Sequence, residues 1–314
     1  MNNPFFIIGC GRSGTTLLRA MLNSHPRLAI PLESLFIADY LHSDTEQIRQ
    51  VIGDEYEIKE WGLQPGRVDL SECDTPASII RRLHQVFAAK HGKERWGQKT
   101  PRLVRHVPLL ADALPDAQFI HLVRDPRGVV NSLIHSPVHR SNALYGSQRW
   151  VNDVTAGLAA EHDQGALHVY YEDLVCEPEE TMRDILDFLG ESYDERVLSY
   201  QHSSDEYGEY YDTIHSKLDE EPDPSRVTAW KDELSETDKE VIAQMTSATA
   251  SKAGFSVPNG VSHPCYRAWL RAQRGIGLAQ QLTQYLLHRR EYLWSFIRRK
   301  ACLRTTRRFD ELNY

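Results

Sequence analysis

The glycine-rich stretch from Gly9 to Thr16 is the part of the sequence whose residue types and spacing point most clearly to a chemical function. It reads Gly-Cys-Gly-Arg-Ser-Gly-Thr-Thr and lies between an apolar run, Phe5–Cys10, and a segment with leucines at helical spacing. A loop that joins a strand to a helix start presents backbone N–H groups and the positive end of the helix dipole to an anion. The candidate ligands of a phosphate-like group are Gly11, Arg12, Ser13, Gly14, Thr15 and Thr16.

This stretch differs from the nucleotide triphosphatase pattern G-x-x-x-x-G-K-[ST] at one position. Thr15 stands where that pattern has its lysine, and the cation is instead Arg12, three positions earlier. A turn that needs glycine only for its backbone conformation is the alternative.

A second candidate anion site follows the apolar run 117–123. Arg124 stands at its end and Ser132 eight residues later, within a predicted helix over 127–134. An arginine offers a two-pronged hydrogen-bonding group to a phosphate, and the serine adds a hydroxyl. Taken alone, the Arg-Asp-Pro-Arg sequence also fits a solvated turn with a surface ion pair.

Residues 9–26, GCGRSGTTLLRAMLNSHP, resemble the sulfotransferase family that uses 3′-phosphoadenosine 5′-phosphosulfate (PAPS), in particular its bacterial and tyrosylprotein-sulfotransferase-like branches. The resemblance covers roughly residues 4–255, densely at 4–34 and 96–134 and thinly elsewhere. It implies that the glycine-rich loop holds the 5′-phosphosulfate and that Arg124 and Ser132 hold the 3′-phosphate. It also implies an enzyme that moves a sulfuryl group from PAPS to a hydroxyl or amine, with PAP as product.

The same resemblance implies three catalytic residues. Glu33 corresponds to the base that deprotonates the acceptor, while Lys99 and Arg12 stabilise the transferring sulfate. The alternatives are a helix-start role for Glu33 and a solvated position for Lys99, which the flanking Gly97 and Pro101 place in a loop.

Two further parts of the nucleotide site come from the resemblance. Tyr171 matches a family tyrosine near the cofactor, although a tyrosine there also fits sheet packing. Either Arg226 or Lys231 is expected to close the nucleotide site from a late basic segment.

Strands alternate with helices along the chain, which predicts an α/β fold of the P-loop type: three layers around a mainly parallel sheet. The predicted strands are 5–10, 28–30, 117–123 and 167–171. The predicted domains are a sulfotransferase domain over 1–255 and a basic amphipathic helical extension over 256–314. Within the first, 34–95 is expected to be a helical insertion on the acceptor side and 203–226 a lid loop.

The chain has 314 residues and a net charge of −8, which argues against a general nucleic-acid binder. The charge is uneven: residues 263–314 carry 11 basic and 3 acidic residues, a net of +8, which leaves −16 for residues 1–262. Four roles remain open for this basic tail: packing on the acidic body, a homodimer contact, binding to an anionic membrane surface, and capture of an acidic acceptor.

The five cysteines form no C-x-x-C pair, and the 14 histidines show no clear metal-binding pattern, so we expect no metal. Residues 1–4 lack the charged start of an export signal, which favours a cytoplasmic location. The acceptor stays open among small molecules, carbohydrates, lipids and peptides. Two other functions also remain: a P-loop kinase or nucleotide triphosphatase, and a non-catalytic nucleotide-binding protein.

Overall fold

The structure, a computed structural model, describes residues 3–136, 141–200, 222–260 and 290–303, together with the isolated positions 275, 276, 279, 283 and 286. Most of the expected lid, residues 203–221, lies outside the described residues, as does much of the tail. Among the described residues, none of the helices combines the length and apolar character needed to cross a bilayer.

Five parallel strands form one sheet in the order β2-β3-β1-β4-β5, which confirms the α/β prediction. The strands are β1 (Phe5–Gly9), β2 (Leu28–Ala29), β3 (Arg95–Lys99), β4 (Gln118–Val123) and β5 (Leu167–Tyr170). Because the strands are parallel, the loops that follow β1, β3 and β4 meet at one edge of the sheet.

Helices connect the strands and cover the sheet. They are α1 (Thr15–Asn23), α2 (Phe36–Leu41), α3 (Thr45–Val51), α4 (Tyr56–Glu60), α5 (Pro76–Lys90), α6 (Val107–Ala113), α7 (Pro126–Ile134), α8 (Ala143–Gln164), α9 (Tyr171–Cys176), α10 (Pro178–Leu189), α11 (Ser225–Thr228), α12 (Trp230–Glu233), α13 (Glu236–Lys252) and α14 (Arg290–Cys302). Short 3₁₀ turns lie at Ile52–Asp54, Pro65–Arg67, Pro101–His106 and Glu195–Leu198.

The two faces of β1 pack against different sets of helices. Phe5 and Ile7 belong to a core with α1 and α10, whereas Phe6 and Ile8 belong to a core with α2, α5 and α6. Since successive side chains of a strand point to opposite faces, both sides of the central strand are buried and the fold has three layers.

The position of Lys99 corrects the sequence prediction. We predicted a loop around Gly97, but Arg95–Lys99 is a strand, and every residue in it is buried. Its polar composition concealed it, because strand prediction relies on apolar patterns. Buried partners make the strand possible: Arg95, for example, donates to the backbone oxygens of Asn3 and Leu189.

The predicted strand 167–171 also ends one residue early. Tyr171 begins α9 rather than closing β5, whose last residue is Tyr170.

The basic tail returns to the acidic body where the structure describes it. Helix α14 lies on α3 and α4, and its Arg298 pairs with Asp54 at 2.6 Å. The predicted packing of tail on body is therefore confirmed for residues 290–302. Homodimer and membrane contacts stay predictions.

A cluster of three side chains joins β4 and β5 to α8. Nδ1 of His121 and Nδ1 of His168 lie 2.5 and 2.7 Å from the same carboxylate oxygen of Glu161. Two histidines and a glutamate are also a possible set of metal ligands. Ligand atoms around a tetrahedral zinc ion stand roughly 3.3 Å apart, however, so the two shorter distances here are those of hydrogen bonds. Gly157 leaves room for the His121 ring, since a β-carbon there would lie 2.0 Å from Nε2.

This cluster should make stability depend on acid. Partial burial opposes ionisation of Glu161, but the hydrogen bonds from the two imidazoles lower its pKa from 4.5 to about 2. Burial also lowers the pKa of His121 below 6.5. Both groups bind protons more readily in the unfolded chain, so folding free energy should be lost as the pH falls below 6.5 and again as it falls from 4.5 toward 2.

We expect Glu161→Gln to lower the free energy of unfolding by about 1 kcal/mol at pH 7, as measured with urea. Its deficit relative to the natural chain should narrow as the pH falls from 4.5 toward 2, because the unfolded natural chain then gains a proton at Glu161 that the glutamine variant cannot bind. Glu180→Gln, at an exposed position of α10, is the control. A deficit that is constant with pH would contradict the assignment.

Candidate active site

The loop between β1 and α1 has the backbone of an anion-binding turn. Arg12 is the only described residue other than glycine with a positive φ, at 75°, and Gly14 follows with a φ of 90°. Helix α1 begins at Thr15, with no side-chain cap and no acidic residue in its first turn. The buried Ser13 hydroxyl has no hydrogen-bond partner among the described residues. The loop thus offers donors and a positive helix end to an anion.

Arg149 of α8 contacts this loop at Gly11. A β-carbon at Gly11 would lie 2.3 Å from its Nη2 atom, so only glycine permits this approach. Asp153 lies 3.6 Å from the Arg149 Nε atom and 2.6 Å from the Nε atom of Arg105. The buried Asp153 carboxylate therefore forms ion pairs with two arginines near the loop. Sequence reasoning missed Arg149, because an arginine within a helical pattern carries no local signal.

The two predicted anion motifs meet in the structure. Nε of Arg12 donates to the Ser132 hydroxyl at 3.0 Å, and Nη1 of Arg124 donates to the Arg12 carbonyl at 3.1 Å. The Arg124 guanidinium also lies 4.1 Å from the centre of the Tyr171 ring, and that ring covers Gly14. Residues from three separate segments, 12–14, 124–132 and Tyr171, therefore lie in contact with one another.

The late basic segment reaches the same place. Nη2 of Arg124 donates to the Arg226 carbonyl at 2.9 Å, and the Arg226 side chain pairs with Glu233 at 3.0 Å. The Lys231 ammonium lies 5.9 Å from the centre of the Trp230 ring. Of the two candidates, Arg226 is therefore the one that contacts a residue of the site, through its backbone carbonyl.

Lys99 lies between the loop and Glu33. Its ammonium donates to the Thr16 hydroxyl at 3.2 Å and forms an ion pair with the Glu33 carboxylate. The Lys99 side chain is 2% exposed and that of Glu33 is 22% exposed. Burial lowers the pKa of the Lys99 ammonium, and the Glu33 carboxylate opposes this effect. The three predicted catalytic residues thus lie at one edge of the sheet: Lys99 contacts Glu33 directly, and Arg12 is near enough to affect the pKa of Lys99.

Buried side chains hold the backbone around Glu33. Residues 30–36 form no helix or strand before Phe36, and side chains from elsewhere in the chain bind several of their backbone groups. These contacts are Asn23 to the Ile30 amide, Arg19 to the Ile30 and Pro31 carbonyls, Trp61 and Gln98 to the Leu32 carbonyl, Thr100 to the Ser34 amide, and Glu57 to the Leu35 and Phe36 amides. We call residues 30–36 the acceptor-side loop.

The acidic side chain that contacts the start of α2 is Glu57. Its two carboxylate oxygens accept from the amides of Leu35 and Phe36, at 3.2 and 2.9 Å, where α2 starts. The start of α2 is therefore satisfied by Glu57, and Glu33 is directed to Lys99 instead. Glu57 is remote in sequence, so spacing alone could not have identified it.

The fold and the site together define a P-loop-type α/β protein whose anion loop carries arginine and threonine in place of the Walker lysine. A family model described as "Sulfotransferase family" matches residues 4–195. The chain belongs to the sulfotransferase family.

Similar proteins include enzymes named for tyrosine sulfation. The chain is 30% identical over 213 residues to a protein-tyrosine sulfotransferase of Drosophila melanogaster, covering 62% of this chain and 40% of that protein. It is 29% identical over 214 residues to protein-tyrosine sulfotransferase A of Caenorhabditis elegans, covering 63% and 53%. The matches thus span about half the length of these relatives.

Two solved structures have the same fold. A sulfotransferase domain from the curacin biosynthetic pathway superposes with a TM-score of 0.61 at 20% identity, covering 82% of this chain and 99% of that one. A sulfotransferase domain from the Synechococcus PCC 7002 olefin synthase gives 0.59 at 23% identity, covering 82% and 96%.

Gly14→Ala should destabilise the protein by at least about 1 kcal/mol, because a left-handed backbone is costly for any residue with a β-carbon. That carbon would also lie 2.3 Å from the Tyr171 ring. Gly53→Ala is the matched control, since a β-carbon there meets nothing within 4 Å. Urea unfolding of both variants tests the point, and equal stability of the two would contradict it.

Proposed function

We propose that this protein is a PAPS-dependent sulfotransferase that transfers a sulfuryl group to a hydroxyl or amine acceptor. The observation that carries the proposal is the buried Lys99 ammonium, which contacts the anion loop through Thr16 and the candidate base Glu33 at the same time. Family membership supports the reaction class.

The residues of the site fit the nucleotide donor. The loop over 11–16 would hold the 5′-phosphosulfate, where the unpartnered Ser13 hydroxyl and the open end of α1 favour an anion. Arg124 and Ser132 would hold the 3′-phosphate, and Tyr171 and Arg226 border that part of the site.

The donor supplies a sulfuryl group on a phosphate leaving group. Glu33 accepts the proton of the acceptor as the acceptor oxygen or nitrogen bonds to sulfur, and the bond from sulfur to the phosphate oxygen breaks. Lys99 and Arg12 stabilise the negative charge that builds on the sulfate and on the leaving oxygen. Fixed cations and backbone N–H groups can provide this stabilisation without reorganising.

Glu33 has a geometry suited to a base. Its carboxylate is partly exposed, so an acceptor can approach it, and the Lys99 pair and the acceptor-side loop fix its position. The candidate acceptors are small alcohols, carbohydrates, lipids and peptides, and among peptides the tyrosine named for the relatives is one candidate.

A kinase or nucleotide triphosphatase is the competing function. Such an enzyme would place a lysine of the loop against the β- and γ-phosphates, but Thr15 occupies that position and begins α1. Lys99 comes instead from β3, on the acceptor side of the loop.

Glu33→Gln should lower turnover by a factor on the order of 10² to 10⁴ while PAP affinity changes little, because the amide cannot accept the proton. PAP release from PAPS, measured with the most active member of an acceptor panel, reports turnover, and calorimetry reports affinity. Glu94→Gln, at an exposed glutamate, is the control. Near-normal turnover of Glu33→Gln would remove Glu33 from the role of base.

The donor itself is tested by calorimetry with PAP, PAPS and ATP·Mg²⁺. We expect PAP and PAPS to bind in a chelator-treated buffer with dissociation constants of about 1 μM, equivalent to roughly 8 kcal/mol. A preference for ATP·Mg²⁺ would favour the kinase and contradict the proposal. Failure to bind any of the three would also contradict it.

A further inference from the structure

Helix α14 carries a buried arginine into a group of acidic side chains. Arg299 is 2% exposed, and its guanidinium lies 2.9 Å from Asp39, 2.7 Å from Glu55 and 3.4 Å from Glu57. The neighbouring Lys300 lies 2.5 Å from Asp39. We call Asp39, Glu55 and Glu57 the acidic cluster; each member is at most 3% exposed.

The acidic cluster depends on these two cations. Removal of one partner from a buried charged group leaves the other charges uncompensated, which is strongly unfavourable. Burial raises the pKa of Glu57 from 4.5 to about 7, Arg299 opposes this shift, and Glu55 adds to it. The guanidinium therefore helps to keep Glu57 a carboxylate with two acceptor oxygens.

Glu57 uses both oxygens on the acceptor-side loop. As described above, they accept from the amides of Leu35 and Phe36, two and three residues after Glu33. Tyr292 of α14 also packs against the acceptor-side loop, where it contacts Leu35, and against Tyr56 of α4. The helix thus reaches the loop both through a hydrogen-bonded carboxylate and through direct apolar contact.

We propose that Arg299 is a positioning residue for sulfuryl transfer: through Glu57 it fixes the backbone that carries Glu33. This inference rests on the proposed role of Glu33 as base. It gives the described part of the basic tail a function in catalysis, although the tail lies outside the matched family region, residues 4–195.

The link predicts a separation between nucleotide binding and turnover. Arg299 contacts the acidic cluster. The proposed nucleotide residues Arg12, Arg124 and Ser132 are instead hydrogen-bonded to one another, and these hydrogen bonds do not involve the acidic cluster. Loss of Arg299 should therefore loosen the acceptor-side loop and spare the nucleotide site.

The main test compares Arg299→Met with Arg298→Met in the full chain. Both variants remove one arginine from α14, but Arg298 is 59% exposed and pairs with Asp54, outside the acidic cluster. Three quantities are measured for each: PAP affinity by calorimetry, kcat from PAP release, and hydrogen exchange of the amides of residues 33–41.

For Arg299→Met we expect kcat to fall about tenfold or more, because small displacements of a catalytic group are costly. PAP affinity should stay within about threefold, since the sites are separate. The Leu35 and Phe36 amides should exchange about tenfold faster or more. Arg299→Lys, which keeps the charge, should restore part of kcat, and Arg298→Met should match the natural chain in all three quantities.

Glu57→Gln tests the same link if Arg299→Met does not fold, because glutamine leaves one amide without a carboxylate acceptor. The proposal is overturned if a folded Arg299→Met protects Leu35 and Phe36 as well as the natural chain does. It is also overturned if PAP affinity falls in parallel with kcat, since that indicates a general structural role. If Glu33→Gln keeps its activity, the proposed base fails, and the exchange measurement still decides the link from Arg299 to the loop.

Discussion

The buried ammonium of Lys99 is the constraint on which the rest of the site depends. Lys99 as a whole residue is 1% exposed, so its ammonium has lost its hydration. It therefore needs a counter-charge and hydrogen-bond acceptors. Thr16 and Glu33 supply them from opposite sides. Since Lys99 ends a strand that pairs directly with β1, the sheet fixes its backbone relative to the glycine-rich loop. The nucleotide half and the acceptor half of the site are thus built around one cation.

Glu33 is held by side chains rather than by regular secondary structure. The segment around it has the irregular path of a loop, but buried residues from α1, α4 and β3 bind its backbone groups. Such support fixes the position of Glu33 while leaving its carboxylate partly exposed. In the proposed reaction this arrangement orients the charge of Glu33 before an acceptor binds, and such preorganised charge is usually the largest electrostatic contribution to catalysis.

The sequence allowed prediction of the features that depend on local pattern. The glycine-rich loop, Arg124 and Ser132 follow buried apolar strands, so both their type and their place in the fold could be inferred. Strand β3 could not, because its polar residues are buried through partners elsewhere in the chain. Arg149, Glu57 and Arg299 were missed for the same reason: each acts through a contact that only the folded chain creates. The roles of the predicted site residues stay predictions, whereas their convergence is a structural finding.

The contact between Arg299 and Glu57 joins residues 242 positions apart. During translation the five strands are all made by residue 170, long before α14 leaves the ribosome. The strands of the sheet are therefore synthesised before the cations of the acidic cluster are available. Arrival of α14 closes a very long loop at little extra entropic cost, because that cost grows only with the logarithm of loop length. The acidic cluster beside the acceptor-side loop thus receives its cationic partners from the most C-terminal helix that the structure describes.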